Sequence, residues 1–333
     1  MAKDASEYNR PTRNLALELV RVTEAAALAS GRCMGRGDKF TADRAAVEAM
    51  RLVMNTIQMD GVIVIGEGQK DGAPMLFCGE RMGTGEPPVV DIAVDPIDGT
   101  RPFSMGLPNA ISTVALAPRG TMFDPGPFMY MDKIAVGPQG RDDIDIQAPV
   151  RENLRRVAAA KCEEIQDLTV VILDRPRHEE LINEVRRCGA RIRLIPDGDV
   201  AGALMTAMPG SGIDLLMGIG GTPEGVLAAC ALRAMGGNIQ GMLHPRSEEE
   251  LQRGIELGYD VNQVITMNDL VSSEDVFFAA TGLTNGDLLQ GVDYFADGAH
   301  THSLVVRGLT GTIRRIDSTH RLKKLASLSS LQY

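Results

Sequence analysis

With 333 residues, 44% of them hydrophobic and 23% charged, the chain is long enough for two domains or one large one, and no polar tract is long enough to indicate disorder. Its formal net charge of −10 argues against a surface that binds nucleic acid or an anionic membrane, although an acidic protein can still bind phosphate through metal ions. The five scattered cysteines lack a C-x-x-C pair, residues 1–12 lack the apolar core of a signal peptide, and no apolar run reaches the roughly 18–20 residues of a membrane helix. We therefore expect a soluble, cytoplasmic protein with reduced thiols and no structural zinc.

The first half of the chain predicts two helices and then a series of short strands. Apolar residues recur at three- and four-residue steps from Leu15 to Ala29, which is typical of an amphipathic helix that ends near Gly31. A second helix is expected over about 42–57, with Thr41 as its N-terminal cap. Strand candidates follow at 62–65, 90–94, 111–116 and 134–136. Because Gly- and Pro-rich turns separate most of them, we expect an α+β first half with a mixed or largely antiparallel sheet.

Helices and strands alternate at short spacing after about residue 149, the pattern of a parallel α/β unit. The expected helices span about 151–160, 178–188, 200–208 and 223–234, and the expected strands 168–173, 191–195 and 213–217. Three later strand candidates, 276–280, 303–306 and 312–316, are compatible with either sheet. We therefore predict an α/β protein of two domains, 1–150 with a mixed sheet and 151–333 with a mainly parallel sheet, and an active site in the cleft between them.

The segment 89–100, VVDIAVDPIDGT, carries the strongest chemical signal in the sequence. Its apolar run predicts a buried strand that ends at Pro96, so that Asp95 and Asp98 lie at the carboxyl end of the strand, beside a Gly-Thr turn. Further acidic residues next to glycines are Asp38, Glu67 and Glu224. Taken singly, each of these acids is better explained as a helix cap or turn residue. Together, they favour an all-oxygen site for Mg²⁺ or Mn²⁺.

A divalent-metal site beside a Gly-Thr turn indicates hydrolysis of a phosphate ester, because metal ions neutralise phosphate charge and lower the pKa of water. The hydroxyl of Thr100 could orient that water, with Asp38 or Asp71 holding the threonine. The simpler interpretation, that Thr100 caps a helix, is compatible with this role.

Basic residues follow the second-half strands, where a phosphate group could bind. Arg175 and Arg177 come after one predicted strand, and Arg191 and Arg193 share a face of the next. Arginine forks bind phosphate bidentately, whereas a solvated helix start is the alternative for Arg175 and Arg177. Asp197 and Asp199 are candidates for sugar hydroxyls, with an Asx turn and N-cap as the alternative.

The loop 217–225, MGIGGTPEG, links a predicted strand to a predicted helix and offers backbone amides to an anion. It is not a dinucleotide-binding fingerprint, because Pro223 stands where Gly or Ala is required and the loop lies in the wrong half of the chain for a first βα turn.

The motif DPIDGT at 95–100 resembles the signature of the lithium-sensitive, metal-dependent sugar and inositol phosphatases. Other motifs narrow this resemblance to the class II (GlpX-type) bacterial fructose-1,6-bisphosphatases, from about residue 13 to residue 320. They are GRGDK at 35–39, VIGEG at 64–68 with APML at 73–76, DRPRH at 174–178, PDGDV at 196–200 and GIGGTPEG at 218–225. The resemblance implies a two-domain sugar-phosphatase fold, a layered αβαβα sandwich.

The resemblance also implies hydrolysis of the 1-phosphate of fructose 1,6-bisphosphate to fructose 6-phosphate in gluconeogenesis, with two or more Mn²⁺ or Mg²⁺ ions per site. The implied metal ligands are Asp38, Glu67, Asp95, Asp98 and Glu224, and the implied catalytic residues are Thr100, Asp71 and Lys39. The implied substrate contacts are Asp98, Gly99, Thr100, Tyr130, Arg175, Pro176, Arg177, Asp197, Gly198, Asp199 and Gly221.

Two positions depart from the family pattern: Asp98 stands where Glu is frequent, and Gln69 where an acid is common. We expect a homodimer or homotetramer that acts on a sugar bisphosphate and binds neither nucleic acid nor membrane. The alternatives left open are additional activity on sedoheptulose 1,7-bisphosphate and an inositol or nucleotide monophosphatase. More remote alternatives are a dinucleotide-binding dehydrogenase and a non-catalytic phosphosugar sensor.

Overall fold

The computed structural model describes residues 14–70, 73–327 and 331. They form two mixed β-sheets with helices on both faces of each, and a separate two-stranded sheet made of residues 68–70 and 73–75. In chain order the strands are β1 (Asp60–Ile65), β2 (Gly68–Lys70), β3 (Ala73–Met75), β4 (Arg81–Met82), β5 (Val89–Asp98), β6 (Ile111–Pro118), β7 (Tyr130–Val136), β8 (Thr169–Leu173), β9 (Arg191–Ile195), β10 (Leu215–Gly221), β11 (Asn238–Leu243), β12 (Phe277–Gly282), β13 (Asp293–Phe295), β14 (Gly298–Arg307) and β15 (Thr312–Arg321). The helices are α1 (Ala16–Ser30), α2 (Lys39–Met54), α3 (Thr100–Ser104), α4 (Val150–Lys161), α5 (Glu179–Cys188), α6 (Asp199–Thr206), α7 (Thr222–Met235), α8 (Glu248–Glu256), α9 (Met267–Leu270) and α10 (Leu322–Ala326).

The eight-stranded sheet has the order β13-β14-β12-β6-β5-β1-β4, with β15 paired to β14. Its pairs are antiparallel except for β1 and β5, which run parallel. The five-stranded sheet has the order β11-β7-β10-β8-β9. Four of its strands run in one direction and β7 runs in the other, so this sheet is mainly parallel, as the sequence predicts.

Apolar side chains stack these elements into five layers. One core cluster joins α1 and α2 to the outer face of the eight-stranded sheet, and another joins α4 and α5 to the outer face of the five-stranded sheet. The largest cluster lies between the two sheets and includes residues of α6 and α7. The layer order is therefore αβαβα, and the fold class predicted from the sequence is confirmed.

The two sheets do not divide at residue 150, because each contains strands from both sides of that position. Strand β7 precedes it and lies in the five-stranded sheet, whereas β12 to β15 follow it and lie in the eight-stranded sheet. The division of the chain into domains 1–150 and 151–333 stays a prediction. Among the described residues, no helix combines the length and apolar character needed to cross a membrane.

Helix α2 begins at Lys39, earlier than the sequence pattern predicts, and the prediction of Thr41 as its cap is wrong. Asp38 is the N-cap residue: its carboxylate accepts hydrogen bonds from the Thr41 amide at 3.0 Å and the Thr41 hydroxyl at 2.6 Å. A threonine in the first turn can donate to a preceding aspartate, so the acid takes the capping position.

Asp91 is a structural carboxylate within β5. It is 2% exposed, and its Oδ2 accepts hydrogen bonds from the amides of Gly120, Thr121 and Met122 at 2.6, 3.0 and 3.3 Å. Its Oδ1 lies 3.3 Å from Arg119 Nε. These contacts fix the turn that follows β6 to the neighbouring strand.

Replacing Asp91 by Ala is expected to lower the free energy of unfolding by about 3 kcal/mol, because three backbone amides and a guanidinium lose their buried acceptor. Urea denaturation measures this loss. The control is Asp60→Ala, which removes the exposed ion pairs of Asp60 with Arg81 at 3.4 Å and Arg119 at 3.8 Å. The control should cost less than about 1 kcal/mol. Equal losses in the two variants would contradict the structural role of Asp91.

Candidate active site

The carboxyl end of β5 carries two of the predicted site residues. The strand does not end at Pro96, as the sequence analysis expects: its pairing with β6 becomes irregular after Asp95 and resumes at Asp98, opposite Ile111. A local irregularity lets a proline lie in a strand, because the missing N–H then falls where no ladder bond is needed. Gly99, with a φ of 87°, makes the turn into α3 in a left-handed conformation that other residues adopt at a cost.

The period-two alternation of β5 aims Asp95 at the layer between the sheets. Ile92 and Val94 pack in the cluster under α1 and α2, whereas Ala93 packs in the cluster shared with α7. Asp95 is on the same face as Ala93, because side chains two residues apart share a face of a strand. Glu224 lies in the first turn of α7 and approaches Asp95 from that layer.

Negative charges crowd this region and raise the pKa of its carboxyl groups. Desolvation is the largest cause of the raised pKa of Asp95, followed by the charges of Asp98, Glu67 and Glu224. Desolvation likewise raises the pKa of Asp98, with further contributions from Asp199 and other neighbouring acids. The structure therefore brings together Glu67, Asp95, Asp98 and Glu224 of the predicted metal ligands.

Two carboxylate oxygens in this cluster are buried and accept no hydrogen bond from the described residues: Oδ2 of Asp98 and Oε2 of Glu224. Desolvation and the neighbouring charge of Asp199 raise the pKa of Glu224 to about 7, although Lys133 lowers it. A buried oxygen with neither a donor nor a cation is costly, so these atoms are suited to a positively charged ligand.

Lys133 is a buried cation of this site that the sequence analysis missed. Its side chain is 3% exposed, and its ammonium lies 2.8 Å from Asp199 Oδ2 and donates to the Gly221 carbonyl at 2.8 Å. A lysine in the middle of the apolar run of β7 was the available signal, because lysine is rarely buried unless it is paired.

Glycines at the end of β10 let the backbone approach the acids closely. A Cβ atom on Gly220 would lie 1.9 Å from Asp199 Oδ2, and one on Gly221 would lie 1.7 Å from Glu224 Oε2. Neither separation is possible for a real side chain. The glycines of the loop 217–225 therefore make room for carboxylates, which is a different use from a dinucleotide fingerprint.

A cavity of about 210 Å³ adjoins the carboxylates. Seven residues singled out in the sequence line it: Tyr130, Arg175, Arg177, Asp197, Asp199, Gly221 and Glu224. The other lining residues are Met129, Leu173, Gly220, Pro223 and Arg246. Three arginines and three acids share this lining, which suits a ligand that carries both phosphate and hydroxyl groups.

The arginines of the cavity are held in place by acceptors around them. Arg177 donates to the Ile219 carbonyl at 3.2 and 2.8 Å, and its guanidinium carbon lies 5.3 Å from the centre of the Tyr130 ring. Arg175 lies 3.7 Å from a carboxylate oxygen of Asp197. Each contact uses part of a guanidinium and leaves other N–H groups for a ligand.

Arg246 is a second residue that the sequence analysis missed. Its guanidinium carbon lies 5.8 Å from the centre of the Tyr130 ring, and its Nε donates to Glu250 at 3.2 Å. Glu250 also accepts hydrogen bonds from the Arg246 and Met129 amides, so one buried carboxylate fixes both the loop and the arginine. Arg246 follows the end of β11 along the chain, and nothing in its immediate sequence marks it.

His178 fixes the peptide that Arg177 contacts. Its Nε2 accepts a hydrogen bond from the Ile219 amide at 2.8 Å, and its Nδ1 lies 2.7 Å from the Leu173 carbonyl. The ring must therefore be neutral, with the proton on Nδ1. Burial lowers the pKa of His178, which favours this form.

Several predicted site residues lie at the margin of the cluster. Asp38 is exposed and held by Thr41. Desolvation raises the pKa of Asp197, and Lys39 is close enough to oppose that shift. The hydroxyl of Thr100 donates to the Ile97 carbonyl at 3.0 Å, and not to Asp38. Asp71 lies outside the described residues, as does the side chain of Gln69.

In the second half, Pro176 begins a short 3₁₀ turn, and Gly198 is the N-cap of α6, so the N-cap alternative for Asp199 is wrong. Arg191 and Arg193 do not line the cavity, since they contact the Asp167 carbonyl and Asp287 instead. The site therefore contains fewer arginines than the sequence predicts, because Arg191 and Arg193 of β9 lie outside the cavity.

Buried carboxylates beside an arginine-lined cavity, on an αβαβα fold, define a site for cations and phosphorylated ligands. The family model described as bacterial fructose-1,6-bisphosphatase, glpX-encoded, matches residues 13–320. The chain belongs to this family.

Curated relatives extend over nearly the whole chain. Fructose-1,6-bisphosphatase class 2 of Haemophilus influenzae is 47% identical over 332 residues, covering 96% of this chain and 99% of that protein. Fructose-1,6-bisphosphatase 1 class 2 of Escherichia coli K12 is 47% identical over 325 residues, covering 94% and 96%. A solved structure of the extragenic suppressor protein suhB from Bartonella henselae is similar over 59% of this chain and 73% of that one, with 16% identity and a TM-score of 0.34.

Family membership implies a divalent metal ion, and the chemistry of the site fits one. The orphaned oxygens of Asp98 and Glu224 and the raised pKa values of the clustered acids are the features that a cation would relieve. Across residues 14–70 and 73–327, however, no three His, Cys, Asp or Glu side chains already form a metal-binding group. The acids are thus neighbours, but their side chains are not arranged around one common point.

Glu224→Gln is expected to raise the melting temperature of EDTA-treated protein at pH 8, because it removes a crowded negative charge. The pKa of Glu224 is about 7 in the folded chain against an ordinary value of 4.5, so the ionised carboxylate reduces stability progressively as pH rises from 4.5 through 7. The full cost is on the order of 3 kcal/mol. At pH 4, where both states are protonated, the variant and the wild type should melt at similar temperatures.

Added Mn²⁺ should raise the melting temperature of the wild type and raise that of Glu224→Gln much less, because the cation loses a ligand. Differential scanning fluorimetry measures both effects. Glu248→Gln serves as the control, since it removes an acid from the first turn of another helix. A variant that melts below the wild type at pH 8 without metal would refute the repulsion at Glu224.

Proposed function

We propose that this protein hydrolyses the 1-phosphate of D-fructose 1,6-bisphosphate, giving D-fructose 6-phosphate and phosphate, a step of gluconeogenesis in the cytoplasm. The observation that carries the proposal is the juxtaposition of the carboxylate cluster at Asp95, Asp98 and Glu224 with the arginine-lined cavity. A monophosphorylated substrate needs only the carboxylate cluster, whereas a bisphosphorylated sugar uses both the cluster and the arginine-lined cavity. Family membership and the names of the relatives support the same substrate.

The far phosphate is assigned to the arginines. Arg175, Arg177 and Arg246 line one cavity, and two of them flank the ring of Tyr130. Bidentate arginine contacts recognise phosphate oxygens and give the ligand one orientation. Asp197 lies beside them and accepts from sugar hydroxyls. Gly221 lines the same cavity, and Pro176 and Gly198 are proposed as further contacts because each lies next to a lining residue in the chain.

The scissile phosphate is assigned to the turn Asp98-Gly99-Thr100. The Thr100 hydroxyl donates to the Ile97 carbonyl, so its oxygen can accept a hydrogen bond from the attacking water and orient that water. The water oxygen bonds to phosphorus while the bond from phosphorus to the C1 oxygen breaks. In this proposal Asp71 takes a proton from the attacking water and Lys39 offsets the charge of the phosphate. The C1 oxygen takes a proton from solvent water as it leaves, and Asp71 returns its proton to solvent.

The cofactor is proposed to be Mn²⁺ or Mg²⁺, with two or more ions per site, held by Asp38, Glu67, Asp95, Asp98 and Glu224. When bound, the ions offset phosphate charge and favour formation of the nucleophile. The carboxylates keep water and ions in place and exclude other anions from the centre of the cluster. Asp98 has one methylene fewer than a glutamate would, so its reach depends on the turn at Gly99.

The direct test is release of phosphate from fructose 1,6-bisphosphate by EDTA-treated protein to which Mn²⁺ has been restored. Fructose 6-phosphate should be the product and should not be hydrolysed further, since it lacks the 1-phosphate. Sedoheptulose 1,7-bisphosphate and an inositol monophosphate complete the panel and rank the alternatives by kcat/KM. Folded, Mn²⁺-binding protein that releases no phosphate from any of these substrates would overturn the proposal.

Thr100→Ala is expected to lower kcat by about 10²- to 10⁴-fold, because the water loses its orienting group. The melting-temperature shift with Mn²⁺ should be retained, since the threonine is not among the proposed ligands. Steady-state kinetics and fluorimetry measure the two quantities.

The matched control is Ser104→Ala, which removes a hydroxyl of the same helix. That hydroxyl also donates to a backbone carbonyl, of Arg101 at 2.8 Å. The control should keep kcat within about threefold of wild type, as expected for loss of one local hydrogen bond. Equal kinetics of Thr100→Ala and wild type would refute the role of Thr100.

A further inference from the structure

Strands β8 and β10 stop pairing with each other before they reach the site. The pairing covers only Leu215 and Leu216 of β10, although β8 continues to Leu173 and β10 continues to Gly221. On its other side, β10 stays paired with β7 along its whole length. Beyond Leu216, one edge of β10 therefore depends on groups other than a neighbouring strand for its hydrogen bonds.

The ring of His178 bridges this gap between the two strands. Its Nδ1 lies 2.7 Å from the Leu173 carbonyl of β8, and its Nε2 accepts from the Ile219 amide of β10 at 2.8 Å. The residue is only 2% exposed, so water does not compete for either contact. A Cβ atom on Gly218 would lie 2.9 Å from Nε2, and the φ of 115° at this glycine disfavours other residues. Glycine at this position lets the ring approach.

Ile219 connects this bridge to the cavity. Its carbonyl accepts from Nε and Nη2 of Arg177 at 3.2 and 2.8 Å, while His178 holds its amide. Consecutive side chains therefore fix both polar backbone groups of one residue. The Nη1 group of Arg177 donates to no acceptor within the described ranges 14–70 and 73–327, and Arg177 lines the cavity beside Tyr130. The direction of Nη1 thus depends on the position of Ile219.

We propose that His178 is a positioning residue for recognition of the second phosphate. By holding Ile219, it keeps Arg177 aimed into the cavity, so that the protein favours a bisphosphorylated sugar over a sugar with a phosphate at C1 alone. A guanidinium held before the ligand arrives loses less entropy on binding. His178 itself does not line the cavity. The inference rests on the proposed function, because it takes Arg177 to bind the far phosphate.

Two amide variants separate the two contacts of the ring. In His178→Asn, the side-chain nitrogen lies as far from the backbone as Nδ1 does and can still donate to Leu173, but no acceptor reaches Ile219. In His178→Gln, the side-chain oxygen lies as far from the backbone as Nε2 does and can accept from Ile219, while the contact with Leu173 is lost. A residue that only packs the core would be affected alike by both changes.

Fructose 6-phosphate is the binding probe, because it carries the far phosphate and lacks the scissile one. With Mn²⁺ present, isothermal titration calorimetry should give a Kd about tenfold higher for His178→Asn than for the wild type, and within about threefold for His178→Gln. The KM for fructose 1,6-bisphosphate should follow the same order. The kcat of His178→Asn should stay within about threefold of wild type, because the contact is made equally in the ground state and the transition state.

Fructose 1-phosphate, which lacks the far phosphate, separates positioning from general damage. Its kcat/KM should differ by less than about threefold between wild type and His178→Asn, since the contact that is lost serves only the far phosphate. Val185→Ala is the stability control. It truncates a buried side chain of α5 that packs in the outer core cluster, so it should lower the melting temperature without changing the Kd for fructose 6-phosphate.

A double-mutant cycle shows whether His178 acts through Arg177. Arg177→Ala should itself raise the Kd for fructose 6-phosphate. Adding His178→Asn to it should raise the Kd by no more than about twofold, because the guanidinium to be positioned is gone. If His178→Asn does not fold, Gly218→Ala replaces it in the same measurements, because its methyl group displaces the ring from Ile219.

The inference and the proposed activity fail in different ways. A wild type that does not bind fructose 6-phosphate, equal Kd values for His178→Asn and wild type, equal losses in the two amide variants, or additive effects in the cycle would each overturn the inference. If Gly218→Ala is the variant used, an unchanged Kd overturns it. A wild type that shows the expected binding pattern but releases no phosphate from fructose 1,6-bisphosphate would overturn the activity and leave the role of His178 standing.

Discussion

Repulsion among the carboxylates at the end of β5 is the constraint on which the site depends. Desolvation raises the pKa values of Asp95, Asp98 and Glu224, and the charge of Glu224 raises those of Asp95 and Asp98 further. Two oxygens of these residues are buried without a donor among the described residues. Such an arrangement reduces stability unless a cation is present, because water is excluded and the charges are alike. The rest of the fold must therefore supply enough packing to keep these groups where they are. Strongly perturbed carboxyl groups in a cavity are also what a functional site requires.

The scaffold meets this constraint by drawing the charged groups of the site from three layers. Asp95 and Asp98 come from β5 in the eight-stranded sheet, and Glu224 comes from the first turn of α7, which packs between the sheets. Lys133 comes from β7 in the five-stranded sheet and neutralises Asp199. Because each group is anchored in a different packed layer, the cluster cannot relax by moving one loop. The buried pair of Lys133 and Asp199 also fixes the carbonyl of Gly221 beside Glu224.

Local sequence patterns correctly predicted those elements that depend on residues close together in the chain. The amphipathic periodicity of α1, the alternation from β8 to α7, and the carboxylates at the end of β5 all follow from spacing within a few turns or strands. The order of the strands could not be read in the same way. Strand β7 joins the second sheet through pairing with β10 and β11, at separations along the chain that leave no periodic trace.

The corrections have the same cause. The Thr41 cap and the end of β5 at Pro96 were wrong because neighbouring residues, Asp38 and the irregular pairing after Asp95, changed the outcome. Lys133 was missed because its significance lies in Asp199, a partner distant in sequence. Arg246 was missed because its significance lies in its position beside Tyr130, although its partner Glu250 is only four residues away. A resemblance between motifs identifies such residues only when they lie within a motif, and Lys133 and Arg246 do not.

The acidic character of the chain is compatible with a doubly phosphorylated ligand because each arginine of the cavity is already oriented by a negative or carbonyl oxygen. Arg175 lies beside Asp197, Arg246 beside Glu250, and Arg177 against the Ile219 carbonyl. These acceptors reduce the entropy lost when a phosphate binds, since the side chains are held before the ligand arrives. They also reduce the net positive charge, so the cavity attracts phosphate mainly by geometry. In the proposed reaction this separates the tasks: fixed guanidinium groups select the far phosphate, and the crowded carboxylates, with their cations, act on the near one.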